Sequence, residues 1–283
     1  MIAVITVSLI SVACKKSQLT DAETQTVTDN INAEGISQEI QNLAEDAHSL
    51  GKAGNFGMRI SNATSILSTC ATVRDDSLNN FTIPDTMIIN FGTTPCVCHD
   101  GRYRQGKIVV YYTGKYRNGG AAINSYFNNY AVGPTASDLY QIDNSSTKNI
   151  TNNGINSNGL MNWTINTSLK IVKPNGGGTI TFTENKTRVQ TAGNPDVMTS
   201  ANKYDIAGSS SGTASNGSGF SAQTASSNDL IKDMSCNKLF VQGELDVTPT
   251  GSSMIAVTFG TDGTCDNTAT ATRGGHSTSI TLR

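Results

Sequence analysis

Beyond residue 60 the chain is a succession of short β-branched runs, most of them bounded by Gly, Asn, Asp or Pro, and this restricts it to a strand-rich fold. Met87–Phe91, Lys107–Tyr112, Ser168–Val172, Thr179–Thr183, Leu239–Val247 and Met254–Phe259 are such runs. Pro174-Asn175-Gly176-Gly177-Gly178 lies between two of them and has hairpin-turn chemistry, because Asn and Gly accept positive φ at little cost. Pro249-Thr250-Gly251 joins another two. The spacing predicts a mainly β, antiparallel architecture, either a sandwich or a curved, open, barrel-like sheet, with a short N-terminal helical segment. The Asn-rich stretch 149–158 has no apolar periodicity and reads as a long loop. Gly208-Ser209-Ser210-Ser211-Gly212 and Gly217-Ser218-Gly219 read as mobile loops.

The helical segment precedes residue 55. Thr20 and Glu23 have the spacing of a capping box, with the hydroxyl at N-cap and the carboxylate at N3. Ile31, Ile36, Ile40, Leu43, Ala44, Ala47 and Leu50 then recur mostly every three to five residues, with Glu34, Glu39, Glu45 and Asp46 among them. Gly51 and Gly54 read as the stop, so a helix is expected over 36–50, acting as a spacer or a lid on the domain.

The first residues argue for export. Ile2 to Ala13 is apolar and ends at Cys14, Lys15 and Lys16. A bilayer core needs about 20 apolar residues, so this stretch is too short to span, whereas a secretory h-region of about 7–15 residues fits. Ser11-Val12-Ala13-Cys14 resembles a bacterial lipobox, with Ser11 where Leu is usual. No Lys or Arg precedes the stretch, which points to a start codon upstream. Cys14 is therefore expected to be the lipidated first residue of the mature protein, after a signal peptide over 1–13. Acyl chains anchor at about 0.8 kcal/mol per buried CH₂, tethering the protein without a membrane-spanning helix. Residues 14–55 would hold the lipid-attachment cysteine, tether and helix, and 56–283 the β domain.

Two segments near 66–117 and 232–282 share one order of features. Cys70 and Cys236 each precede a strand, then Phe-Gly-Thr (Phe91, Phe259), a cysteine with a following Asp, and a basic-Gly step. The matched order reads as an internal duplication. It pairs Cys236 with Cys265, and Cys70 with Cys98, or with Cys96 in place of Cys98. In an exported chain disulfides are allowed, and each such bridge is worth roughly 3–4 kcal/mol in the chain-entropy model. The competing use of Cys96, Cys98 and His99 is as soft metal ligands, a weaker reading because no second Cys/His pair lies nearby.

Chemistry-bearing motifs are scarce. Charged residues make up 15% of the chain against roughly 25% in an average domain. The net charge of −2 offers nucleic acid no electrostatic footprint. His48, His99 and His276 are the three histidines, and no nucleophile-elbow, zincin or phosphate-loop motif occurs. A glycosidase-type carboxylate pair drawn from Asp138, Asp143, Glu184, Asp205, Glu244 and Asp246 remains open, although acids on strands usually sit on the solvated face. The dense run Asp100–Lys107 reads as a hairpin tip with edge-strand charges rather than an anion site.

The lipobox-like start with Cys14-Lys15-Lys16, the acidic helical segment and the run from Phe91 to Ile108 together resemble β-rich envelope lipoproteins of Bacteroidota. The resemblance implies export to the outer membrane, on its periplasmic or cell-surface face, with the membrane as partner through the lipid anchor. It brings no catalytic residue and no cofactor. The expected function is that of a non-enzymatic envelope protein, structural or binding a glycan or protein ligand; the alternative is a secreted polysaccharide hydrolase using a carboxylate pair.

Overall fold

The Thr20 capping box forms: Thr20 N–H donates to Glu23 Oε2 at 2.8 Å, and Glu23 N–H donates to Thr20 Oγ1 at 3.2 Å. From there the computed structural model carries an α-helix, α1, over Asp21–Lys52, 32 residues long. The structure describes residues 18–52, 66–67, 71–75, 84–196, 198–236, 239–260 and 263–282. Residues 1–13, Cys14 and Cys70 lie outside these, and so do the expectations placed on them. No helix among the described residues is long and apolar enough to cross a membrane.

The strands in chain order are β1 (Thr72–Asp75), β2 (Asp85–Asn90), β3 (Cys96–Val97), β4 (Tyr103–Tyr112), β5 (Ala122–Gly133), β6 (Tyr140–Ile142), β7 (Thr147–Ile155) and β8 (Met161–Val172). They continue as β9 (Thr179–Ala192), β10 (Lys203–Thr213), β11 (Gly219–Thr224), β12 (Leu230–Asp233), β13 (Glu244–Pro249), β14 (Ile255–Thr258), β15 (Thr268–Arg273) and β16 (His276–Thr281). All join one antiparallel sheet whose path runs from β1 at one end to β16 at the other, with β7 bridging β5 and β8. The sheet is not a closed barrel. Segments 66–117 and 232–282 occupy opposite ends of that path. In both, a glycine with positive φ follows the Phe just past the strand: Gly92 at 83° after Phe91 and Gly260 at 94° after Phe259.

The helix is enclosed, not laid on the outside. Apolar Val27, Ile36, Ile40 and Leu43 are buried, and so are Asn30, Glu34, Ser37, Gln41 and Glu45 from other sides of the same helix. It touches strands from both ends and from the middle of the sheet, including β1, β8, β9 and β13. This corrects the spacer-or-lid expectation and its start at residue 36. The sheet meets a helix with acids on several faces, so its inner face must be polar in places. β9 turns Ile180 and Phe182 inward, then Glu184, Lys186 and Arg188. Acids of α1 pair along its length with bases of the sheet and of the loops between its strands: Glu23 with Arg273, Asp29 with Lys173 (2.7 Å), Glu34 with Lys186, Glu39 with Arg104 (2.8 Å) and Glu45 with Arg117. Between them Glu184 Oε1 accepts from Lys148 Nζ at 3.0 Å, from Thr167 Oγ1 at 2.7 Å and from Ser37 Oγ. Burial alone would raise the Glu184 pKa, but Lys148 and Lys186 bring it down to about 2.

That polar inner face explains three corrections. Residues 149–155 form a strand, because Lys148, Ile150 and Asn152 all point inward and disguise the period of two. Gly208–Gly212 lies within β10, where Ser210 donates to Glu34 at 2.8 Å and a Cβ on Gly208 would come within 2.4 Å of Asn185 O. Glu184 is buried, not solvated. A fourth correction is local: Leu239–Gly243 is not strand, apart from the bridge between Ile231 and Gln242, and β13 begins at Glu244. The Pro249-Thr250-Gly251 turn forms as expected, with Ser252 N–H donating to Pro249 O at 3.0 Å.

Cys236 and Cys265 are joined, with Cα atoms 5.6 Å apart. Cys96 is disulfide-bonded, whereas Cys98 is a buried thiol. The first choice of Cys98 as a disulfide member is therefore corrected. Cys98 is turned to the core beside the hairpin in which its N–H donates to Arg102 O at 2.8 Å.

Removing one partner of a buried pair leaves the other uncompensated, which costs about 3–5 kcal/mol. Lys148→Ala is expected to lower stability by about that amount in urea titration, whereas Lys148→Met combined with Glu184→Leu is expected to recover most of the loss. Equal destabilisation by the single and the double variant would contradict the pairing.

Candidate ligand site

Gly35, Gln38, Glu39 and Asn42 stand at i, i+3, i+4 and i+7, so they share one face of α1. Opposite that face the wrapped sheet leaves a cavity of about 440 Å³. Its walls come from the hairpin tip before β4 (Asp100, Arg102), the end of β12 and the segment after it (Lys232, Met234, Leu239), and the end of β16 (Leu282). Strand ends from both halves of the sheet path therefore meet over one helix face, which no local sequence pattern announces.

Glycine in a helix interior costs about 0.5–1 kcal/mol relative to Ala, and α1 carries Gly35 well inside its span. A Cβ there would meet only Leu239 Cδ1 and Cδ2 at 3.8 Å, an ordinary contact, so packing does not require the glycine. Its effect is to leave the cavity floor open.

The carboxylates at the wall are held. Glu39 takes Arg104 Nε at 2.8 Å, Arg102 Nη1 at 3.0 Å and the Tyr130 hydroxyl at 2.8 Å. Asp100 takes Arg104 Nη1 at 2.8 Å and Nη2 at 2.5 Å. Burial would raise the Asp100 pKa, but Arg104 holds the carboxyl below its usual range. Asp100–Arg102 forms a hairpin tip, as expected, whereas Tyr103–Lys107 belongs to β4 and Arg104 is wholly buried instead of sitting on an edge.

The amides are different. Gln38 is 2% exposed, and neither its Nε2 nor its Oε1 has a hydrogen-bond partner. Asn42 Oδ1, one turn further along, also has none. A buried polar group left unsatisfied costs about 1–3 kcal/mol. Lys232 is buried and donates from Nζ to Cys236 O at 2.9 Å. Burial, with Arg188 nearby, lowers its pKa to about 8 against the opposing pull of Asp233 and Asp100. Ile66, Pro134, Met234, Leu239 and Leu282 give the remaining wall its apolar character. Such a mix of apolar lining with a few convergent polar groups is the usual make-up of a small-molecule site.

The other candidates from the sequence do not assemble. Cys96 is spent in a disulfide, His99 is exposed, and the described residues contain no group of three His, Cys, Asp or Glu placed to hold a metal. A shallower depression on β9, β10, β11 and β13 is bordered by both Glu184 and Asp246. Glu184 belongs to the inner face, with its carboxylate on Lys148, so the two do not act on one ligand. Asp143 pairs with Lys170 at the surface. His48 accepts the Tyr116 N–H at 3.3 Å inside the core. Gln38, Asn42 and Lys232 were not singled out by the sequence. The only signal was the i, i+3, i+4, i+7 polar stripe on a helix whose burial could not be read.

Comparison with known protein families, with curated proteins and with solved structures finds no match to this chain.

The native pKa of Lys232 lies below the value of about 10.4 for an unperturbed lysine. Between about pH 8 and 10.4 the unfolded chain holds a proton that the native one gives up, so this group's contribution to stability rises with pH across that window. Lys232→Met is therefore expected to be more stable than the wild type by about 1–3 kcal/mol at pH 7, with the difference fading by about pH 11. Urea unfolding across that range measures it, and a variant less stable at pH 7 would contradict it.

Proposed function

We propose that this chain is a non-enzymatic, lipid-anchored envelope protein that holds a small molecule in the cavity beside Gln38. The observation that carries the reading is the fully buried carboxamide of Gln38, which faces the cavity with donor and acceptor both unmet. Two costs support the same reading. Gly35 weakens the helix to keep space open, and Lys232 is desolvated at the wall. A fold that needed neither for its own stability has a reason to keep them if a ligand completes the site.

Anchoring rests on the apolar stretch before Cys14. An outer-membrane location, on the periplasmic or the cell-surface face, is part of this proposal and rests on the resemblance to envelope lipoproteins. Extended chain spans at most about 3.6 Å per residue, so the link from Cys14 to Thr20 would hold the helix start within roughly 20–25 Å of the lipid surface.

Two experiments test the two halves. Metabolic labelling with a fatty-acid analogue is expected to tag the wild type and not Cys14→Ala; equal labelling removes the anchor. The anionic dye 8-anilinonaphthalene-1-sulfonate is expected to bind one-to-one with a blue-shifted emission. Gly35→Leu, which fills the floor, is expected to weaken the dye at least tenfold. Gly35→Ala is expected to be more stable in urea by about 0.5–1 kcal/mol. Dye binding unchanged in a folded Gly35→Leu protein would rule out the cavity. Leu239→Trp, which fills the same space from the opposite wall, repeats the test if Gly35→Leu does not fold.

A further inference from the structure

The cavity's unmet groups specify what would fill it. Gln38 Oε1 and Asn42 Oδ1 are acceptors one helical turn apart, and both lack a donor. Gln38 Nε2 is a donor that lacks an acceptor. One group that satisfies a primary carboxamide on both sides is another amide, with its N–H and C=O on a shared plane. A fatty acid offers no N–H, and a sugar offers hydroxyls but little to cover Ile66, Met234, Leu239 and Leu282.

The charges add a second requirement. Glu39 and Asp100 give two negatives near the wall, and Arg104, Arg102 and Lys232 give three positives. Asp233, the next carboxylate in the chain, is held by Lys203 Nζ at 2.8 Å. Lys232 carries its Nζ to this wall, with Arg188, Asp233 and Asp100 acting on it, and burial strengthens its pull on an anion. A cavity of about 440 Å³ falls in the range of small-ligand sites, roughly 300–1,000 Å³.

We propose that the cavity takes the C-terminal end of a short apolar peptide, its carboxylate toward Lys232, its last peptide unit on Gln38 and Asn42, and its side chains against Met234, Leu239 and Leu282. This rests on the reading of the cavity as a ligand site, and deepens it by naming the ligand's chemistry. The carboxylate and the amide act at different walls, so each has its own substitution: Lys232→Met for the charge and Gln38→Leu for the amide.

Isothermal titration calorimetry on the full chain tests this with three probes: the tripeptide Ala-Leu-Leu with a free carboxylate, the same tripeptide as its C-terminal amide, and octanoate. In the wild type the free tripeptide is expected to bind one-to-one, at least tenfold tighter than either other probe. Lys232→Met is expected to bring the acid and amide forms of the tripeptide within about twofold of one another. Gln38→Leu is expected to abolish the preference over octanoate, with Gln38→Met as the second variant if it does not fold. Octanoate binding as tightly as the tripeptide would overturn the proposal in favour of a lipid acid. Equal binding of acid and amide by the wild type would overturn the role of Lys232. If 8-anilinonaphthalene-1-sulfonate occupies the cavity and the tripeptide does not bind, the peptide proposal falls while the ligand site stands. If neither binds, both fall.

Discussion

Pairing of acids on one buried helix with bases on the strands and loops that surround it is the interaction on which this architecture depends. Glu23, Asp29, Glu34, Glu39 and Glu45 of α1 are bound in turn by Arg273, Lys173, Lys186, Arg104 and Arg117. Without these partners the helix could not enter a low-dielectric interior, because each bare carboxylate would carry a desolvation cost of several kcal/mol. With them, the sheet has a fixed register on the helix. A one-residue slip on β9 would turn Glu184, Lys186 and Arg188 outward and leave Glu34 without Lys186. Such pairs are weak sources of net stability, since apolar residues of the same volume often do as well. Their contribution here is to align β4, β9 and β15 on the helix.

The same enclosure produces the cavity. A sheet that wraps a helix without closing leaves a gap, and strand ends from β4, β12 and β16 border it over Gly35, Gln38, Glu39 and Asn42. Elsewhere on α1, Asn30 and Gln41 meet Ser210 and Tyr116, respectively, through the amide nitrogen, whereas at the gap both polar atoms of Gln38 are unmet. A mid-helix glycine, a carboxamide with neither polar atom met and a desolvated lysine therefore share one place. Local violations that cluster in space are the ordinary mark of a site kept for function at some expense of stability.

Much of the fold was legible. Antiparallel β architecture followed from β-branched runs and turn residues, and the hairpins at Pro174–Gly178 and Pro249–Gly251 form where Asn and Gly predicted them. The Cys236–Cys265 bridge followed from the matched order of features at the two ends of the chain. Three of the misreadings came from one assumption, that polar residues face water. It turned the strand around Lys148 and Asn152 into a loop, put Glu184 on the surface, and made a spacer of the helix. A period-two pattern is visible only when inward residues are apolar, and here the inward set includes Arg104, Lys148, Lys186 and Arg188.

The amino-acid sequence by itself determined the class of structure, the turns, the capped start of the helix and the terminal disulfide, since each rests on backbone preference or on short-range order along the chain. Tertiary structure alone decided that the helix lies inside the sheet, which acid meets which base, and that Gln38, Asn42 and Lys232 share one cavity. Those outcomes depend on residues as far apart as Glu34 and Lys186, or Gln38 and Leu282, whose encounter is set by how far the sheet curls before it stops. Curl is a sum of small twists over many strands, and no single stretch of sequence encodes it.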